Sequence, residues 1–586
     1  MTSKTWIKGK DEALEVSIER MQTQLKVLGF NIEEALWLNP VNAIYSVNIR
    51  DRNCPLLFTN GKGSTRNACL ASALGEFFER LNCNYFFADY YLGQAVADAS
   101  FVHYPDEQWF PVDDSKKMPE GLLDERLWSF YDPEQQLIPQ MLVDTNSGNR
   151  KRGICATPFM RHSDQLPIWF PVNIVGNLYV SNGMSAGNTK MEARTQALSE
   201  VFERYVKNRI IAERISLPQV PEHIIEMYPK VFSAKQALEK EGFNIAVKDA
   251  SLDGCYPVIA IMMMEPKSGR CLVSFGAHPS FEVALERTMT ELLQGRRLES
   301  LDGFQTPSFD DEAVSDPVNL ETHFIDSSGL ISYDFFKHKS VYDFVYWDFD
   351  NTTQSEFEFL VSLLDTENKD IYIADYEHLG MYGCRILVPG ISEIYPVDEL
   401  HWQNNNEAID FRAQILNLNS LSKKQAKQLL EALEQSEFSD HSDVCGLIGI
   451  APDPDSVWES LRIGELKGML ALHRGDFEQA LDWSEWCLEL SQLSDEREKF
   501  YRALVALLHI ELDEQRHRTD YLSGFESLYG QHIIDRCIAL IEGRQHYDGL
   551  TDVGLNLAGM NRHQSLLEAY QKLQKAKQNW HERECP

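Results

Sequence analysis

The chain has 586 residues and a formal net charge of −34, which argues against general binding to nucleic acid or anionic membranes, because like charge repels phosphate. A local nucleotide site stays open to it, provided a metal and a few Arg or Lys supply the positive charge. Eleven scattered cysteines without a Cys-x-x-Cys pair, no signal core in Met1–Glu12 and no apolar run of membrane-spanning length argue against a disulfide scaffold, a zinc ribbon or a membrane protein, and point to the cytoplasm.

Residues 11–28 read as a helix, with Leu14, Ile18, Met21, Leu25 and Leu28 on one face. Residues 43–60 read as two strands ending at Asn60-Gly61-Lys62-Gly63, a turn like part of a phosphate-binding loop but without the full G-x-x-x-x-G-K-[ST] pattern. A helix to about Phe87 follows, then loops and short strands over 98–165. Trp169–Ser181 is strand-like and leads through Gly183-Met184-Ser185-Ala186-Gly187 into a second helix reaching Arg214. Residues 220–242 look helical, Pro257–Met264 and Cys271–Gly276 read as a hairpin, and Glu282–Arg297 as a third helix. A helix at Glu356–Leu364 and strands at Asp370–Asp375 and Cys384–Val388 complete an α+β domain, residues 1–400. Gln403-Asn404-Asn405-Asn406 reads as a linker to a helical domain, residues 407–586. There Leu461–His473 and Gly475–Leu490 resemble one tetratricopeptide helix–turn–helix unit.

A duplication organises the chain. Gly63–Arg80 aligns without a gap on Gly187–Arg204, sharing Gly, Thr, a basic residue and Ala-Leu-x-Glu-x-Phe-Glu-Arg. Helical spacing puts Ser72, Glu76, Glu79 and Arg80 on one stripe and Glu192, Gln196, Glu200, Glu203 and Arg204 on another. The third helix carries Arg287, Glu291 and Gln294 on one face. Large apolar residues flank every stripe, so the carboxylates are expected to be buried. Buried carboxylates repel one another and lose hydration, so they need cations. An all-oxygen set suits magnesium, which brings substrate phosphates with it.

Three other readings compete. Gly183-x-Ser185-x-Gly187 matches a hydrolase nucleophile elbow, with His278 the nearest candidate base. Against it, the first copy has Gly61 where the second has Ser185, which favours a shared turn whose amides cradle an anion. A metal hydrolase without nucleotide would recruit His, and the stripes hold none. A non-catalytic helical-repeat scaffold leaves the stripes unexplained.

Ser72–Arg80, Glu192–Arg204 and Ala284–Gln294 together resemble the three ATP-binding motifs of the YcaO family, and the resemblance runs the whole chain. It implies an ATP fold with magnesium held by Glu76, Glu79, Glu200, Glu203 and Glu291. Ser72, Ser185, Asn188, Glu192, Gln196, Arg204 and Arg287 would line the nucleotide, and Lys10 would reach its phosphates. Glu76, Glu200, Glu203, Arg204, Arg287 and Glu291 are then the catalytic set. Family members use ATP to activate a peptide amide through its oxygen. The azoline-forming ones end in a proline-rich tail, whereas this chain ends His581-Glu-Arg-Glu-Cys-Pro586 and has no obvious fused peptide-binding domain. The implied role is therefore accessory to β-methylthiolation of an aspartate in a small-subunit ribosomal protein, in place of cyclodehydration or thioamide formation. The partners expected are a methylthiotransferase or the ribosomal protein, with no direct nucleic acid and no membrane. A homodimer through the C-terminal helices is expected as well.

Overall fold

A computed structural model describes residues 4–113, 116–145, 149–301, 303–349, 352–399, 406–490 and 493–584. Every pair of strands named in it is antiparallel, which makes the first part α+β. Ile32–Val41, Ile44–Asp51 and Phe58–Gly63 form one three-stranded sheet in chain order. Asn244–Asp249, Val258–Glu265 and Arg270–Ala277 form another, with the expected hairpin at Glu265↔Arg270. The largest sheet has the order Gln108–Phe110, Ile154–Arg161, Tyr372–Tyr376, Tyr382–Leu387, Met184–Gly187, and Pro167–Pro171 pairs beside Ile154–Arg161.

Three strand–helix units set the site. Phe58–Gly63 leads into Arg66–Asn82, Met184–Gly187 into Lys190–Ala212, and Arg270–Ala277 into Phe281–Glu291. The first two helices start alike: the Thr65 hydroxyl accepts from the Ala68 amide and Thr189 from the Glu192 amide, both at 3.2 Å. Each thereby satisfies one orphan N–H of a first turn. The apolar flanks Leu74, Phe77, Phe78 and Leu198, Val201, Phe202 are buried as the sequence pattern requires.

Gly61, Gly63 and Gly187, the glycines nearest these helices, are in strands, and Gly183 alone stands in a turn, at φ 74°. Gly61, Lys62 and Gly63 pair with Val47, Ser46 and Tyr45, and Met184–Gly187 pairs with Tyr382–Arg385, so the expectation of an anion-cradling turn at both places is corrected. The shared glycine has a packing cause. A Cβ on Gly63 would stand 2.6 Å from the Cys69 amide nitrogen, and one on Gly187 would stand 2.7 Å from that of Ala193, the matching residue. Only hydrogen fits where strand backbone lies against helix backbone at that distance.

Val172–Tyr179, read as strand, is a helix. Ile174, Val175, Leu178 and Tyr179 are buried, and eight residues with so many apolar side chains are too short a run to tell the two states apart by pattern. The third helix ends at Glu291, leaving Gln294 in the following turn, where its amide donates to the Asn60 carbonyl.

From residue 408 on, the described structure is helical around its own core, centred on Leu430, Leu466, Leu470, Leu507 and Ile534. Ile463–Arg474 and Phe477–Leu488 pack as a helical pair. Trp483 and Trp486 lie half-buried inside it, seated against Gly464 and Gly468, one helical turn apart. They are consequently part of the pair and not an outward-facing contact. Of the expected linker only Asn406 is among the described residues. The last helix, Asn561–Glu584, returns to the first part of the chain: Leu566, Ala569, Tyr570 and Leu573 share a core with Leu25, Phe77, Phe78 and Phe87.

Candidate functional site

The three glutamate helices converge. Arg287 donates to the Gln196 side chain at 2.6 Å, joining the third helix to the second. Glu79 of the first helix feels Glu200 of the second, and Arg80 feels it too. Glu76 and Glu79 lie 3.4 and 3.6 Å from Arg80, and Glu200 lies 3.7 Å from Arg204. Burial raises the Glu79 carboxyl well above the ordinary range, with Glu200 and Glu76 adding to it against the pull of Arg80. Burial raises Glu200 as well, with Glu203 adding and Arg204 opposing. The stripes are thus partly buried and their carboxylates crowd one another, as the sequence pattern implied.

Lys62 was not among the residues the sequence singled out for the site. Its ammonium pairs with Glu291 and lies in the field of Glu203, Glu76, Arg287 and Arg204; burial lowers it to about 8. With Arg80, Arg204 and Arg287 it balances the carboxylates of the cluster. The sequence signal was a lysine between two glycines just ahead of the first stripe. The second copy has Ala186 at that position, so a search by duplication passes over it. Lys207, one turn past Arg204, is buried and donates to the His323 carbonyl at 2.6 Å; burial holds it well below its ordinary value.

The N-terminal end of the second helix is a separate polar group. Glu192 accepts from Lys10 at 3.1 Å, from the Asp11 amide at 3.0 Å and from the Asn188 side chain at 2.9 Å. Burial opposes its ionisation, but Lys10, the Asp11 amide and Asn188 together hold its carboxyl below the usual range. Arg20, also outside the sequence-derived set, donates to the Asn188 side chain at 2.7 Å. Along a helix axis Glu192 and Glu203 stand roughly 16 Å apart. That spacing suits an extended ligand with a polar head at Glu192 and its charge among the stripes.

Ser185 sits mid-strand, fully buried, opposite Cys384. Its hydroxyl has a long 3.4 Å contact to the Ala186 carbonyl. His278 accepts the Ser280 amide at its Nδ1, and burial, with Arg287, Lys10 and Lys8 nearby, keeps it neutral. Neither has the setting of a nucleophile elbow, which needs a sharp strand-to-helix turn at the serine. Ser72 stands 3.5 Å from the Lys62 amide, facing the same cluster.

The residues present fit magnesium and a polyphosphate. The carboxylates of Glu76, Glu79, Glu200, Glu203 and Glu291 are hard oxygen donors of the kind that magnesium takes. Arg80 Nη1 and Arg204 Nε are buried donors with no hydrogen-bond acceptor, which phosphate oxygens would satisfy.

The family described as YcaO cyclodehydratase, ATP- and Mg2+-binding, matches residues 60–392, and its C-terminal domain matches 408–579. The chain belongs to the YcaO family, a family of ATP- and magnesium-binding proteins. It is 54% identical over 579 residues to the ribosomal protein S12 methylthiotransferase accessory factor YcaO of Escherichia coli K12, covering 98% of this chain and 99% of that one. A Haemophilus influenzae protein is 50% identical over 586 residues, covering 99% and 100%. Among solved structures, YcaO from Methanopyrus kandleri bound with AMPPCP and Mg2+ is similar at a TM-score of 0.43 and 18% identity, over 68% of this chain and 97% of that one. A heterocyclase in complex with substrate and cofactor is similar at 0.42 and 16%, over 67% and 55%.

Proposed function

We propose that the chain is an ATP-hydrolysing accessory factor for β-methylthiolation of an aspartate in a small-subunit ribosomal protein. The observation that carries the site is the convergence of three glutamate stripes on one partly buried cluster that holds Glu79 and Glu200 above the ordinary carboxylate range. Near-full-length identity to the Escherichia coli accessory factor supports the pathway. A methylthiotransferase or the ribosomal protein is the partner, and the cytoplasm is the place such a reaction occurs.

In this reading Glu76, Glu79, Glu200, Glu203 and Glu291 hold magnesium. Lys10, Ser72, Ser185, Asn188, Glu192, Gln196, Arg204 and Arg287 line the nucleotide, and we add Lys62 and Arg20. ATP, when bound, supplies a transferable phosphoryl group, to a peptide amide oxygen if the chain shares that chemistry with the family's cyclodehydratases. The chain's own residues orient and neutralise: Arg204 and Arg287 balance charge on the phosphate side, and Glu192 anchors the far end. The test is a structure with magnesium and a non-hydrolysable ATP analogue. The triphosphate should be ringed by all three helices; a nucleotide seated elsewhere overturns the reading.

Ser185→Ala separates this from hydrolase chemistry. Loss of one neutral ligand contact of about 1 kcal/mol weakens ATP binding roughly fivefold. Loss of a nucleophile would remove turnover by about four orders of magnitude or more. Titration and steady-state kinetics on the one variant distinguish the two, and a covalent adduct trapped on Ser185 by an ester would reverse the assignment.

We further propose that residues 1–400 hold the site and residues 407–586 form a tetratricopeptide-like unit that makes a homodimer. Leu528, Tyr521 and Leu512 are exposed apolar side chains there. Light scattering at micromolar concentration should give twice the 67.2 kDa chain mass, falling to one chain in Leu528→Asp. A monomeric parent rules the dimer out. A truncation near Asn406 is a poor test, because it strips the last helix from the core of the first part.

A further inference from the structure

A cavity of about 320 Å3 lies beyond the end of the first glutamate helix. It is on the other face of the large sheet from the second glutamate helix. Cys384 points into the core under that helix, so Arg385, its successor in the strand, points the opposite way and lines the cavity. His103, Asp144, Thr157, Asn173 and Tyr376 line it with Arg385.

Arg385 is 7% exposed, and among the described residues no carboxylate pairs with it. One terminal nitrogen donates to the Val175 carbonyl at 3.1 Å and to that of Val180, but its Nε is buried with no acceptor at all. Asn173, equally buried, has a side-chain oxygen with no donor, while its nitrogen serves the Val143 carbonyl at 3.2 Å. A buried guanidinium without a counter-charge is costly unless a ligand completes it.

Lys577 stands behind the His103 and Tyr104 part of the wall, where burial lowers it to about 7. Lys577 is buried, donates to Asn84 at 2.6 Å and to the His103 carbonyl at 2.8 Å, and lies over the Tyr104 ring. The carboxylates nearby are engaged. Asp144 stands 2.9 Å from the His103 ring, and Glu107 accepts from the amides of Val102, His103 and Tyr104 and from the Trp109 indole. Asp89 and Asp144 also line the cavity, and with Asp144 facing His103, Arg385 is the group of this wall whose buried Nε is left unmet.

We propose that this cavity binds a carboxylate group, with Arg385 as its counter-charge and Asn173 accepting an N–H or O–H of the same ligand. The carboxylate belongs to a small free acid or to an acidic side chain of a peptide. A metal is the competing occupant, since His103, Asp144 and Cys155 place ligand atoms within 4.8 Å of one another. The chemistry disfavours it. Burial, with Glu107 and Asp144 adjacent, raises the Cys155 thiol well above its ordinary value, and Arg385 in the same wall repels a cation.

The test is calorimetric titration of the full chain with succinate, with N-acetyl-aspartate N-methylamide, and with the neutral amide counterpart of each. Each acid that binds should do so at least about tenfold more tightly than its amide, the effect of a charge-assisted contact. The blocked aspartate binding more tightly than succinate assigns the site to a peptide side chain, and the reverse assigns it to a free acid. Arg385→Gln should weaken acid binding about tenfold or more and leave magnesium–ATP affinity within about twofold, which separates this site from the nucleotide site. Should Arg385→Gln fail to fold for want of its carbonyl contacts, Arg385→Lys keeps the charge and loses the planar fork, and a several-fold loss is expected. The proposal falls if neither acid binds at millimolar concentration or if amides bind as well as acids. Unchanged binding in both folded Arg385 variants also overturns it, as does zinc uptake that His103→Ala abolishes.

Discussion

Glu200→Gln is expected to lower magnesium-dependent ATP turnover by about two orders of magnitude or more, the scale for removing a group that fixes charge at a reacting centre. The same change is expected to stabilise the ligand-free protein. Glu79 and Glu200 both have carboxyls raised by burial, Glu79 further by Glu200 and Glu200 further by Glu203, so their ionisation works against the fold. The sign follows from proton counting. Between the ordinary carboxylate value and the raised one, the folded state holds more protons than the unfolded state, so stability falls as pH rises through that window. The gain in thermal midpoint of Glu200→Gln over the parent should therefore be small near about pH 4, below the ordinary value, and larger near about pH 8. Added magnesium should raise the parent's midpoint more at the higher pH and raise the variant's less. Phosphate release and differential scanning fluorimetry read both. Parental turnover, or a variant less stable than its parent at high pH, would show that the stripes are structural salt bridges.

Lys62→Met is expected to move two affinities in opposite directions. With the ammonium gone, Glu291 loses its paired cation and Glu203 a neighbouring one, and magnesium alone should bind more tightly. ATP should bind roughly 10–150-fold more weakly, the worth of one hydrogen bond to a charged phosphate at ~1.5–3 kcal/mol. A lysine that merely braced Glu291 would change the first affinity and not the second. Titrations with magnesium alone and with nucleotide at saturating magnesium make the distinction.

The stripes were legible because a helix repeats its faces every three and four residues, and because the pattern occurs twice. The strands Asp370–Asp375 and Cys384–Val388 were read within two residues of Tyr372–Tyr376 and Tyr382–Leu387. Ile32–Val41 was not read: its residues are mostly exposed or half-buried and contain a proline, so it lacks the apolar alternation that marks a strand. The glycine stretches looked like turns because composition alone does not separate a turn from a strand pressed onto a helix. Lys62 escaped for the opposite reason, since it belongs to one copy only. Arg385 gave no signal at all: its setting arises from a strand, a short helix and a returning C-terminal helix that are distant in sequence.

That returning helix also sets the order in which the molecule can be completed. The core around Phe77 and Phe78, directly behind Glu76 and Glu79, lacks Leu566, Tyr570 and Leu573 until nearly the whole chain has been made. At ~5–20 residues per second, the segment carrying the first stripe waits roughly 25–100 s on the ribosome for its last covering layer. During that interval its apolar face is open and its acidic groove unfinished, so nascent chains should depend on chaperones, and ATP should gain a grip only at release.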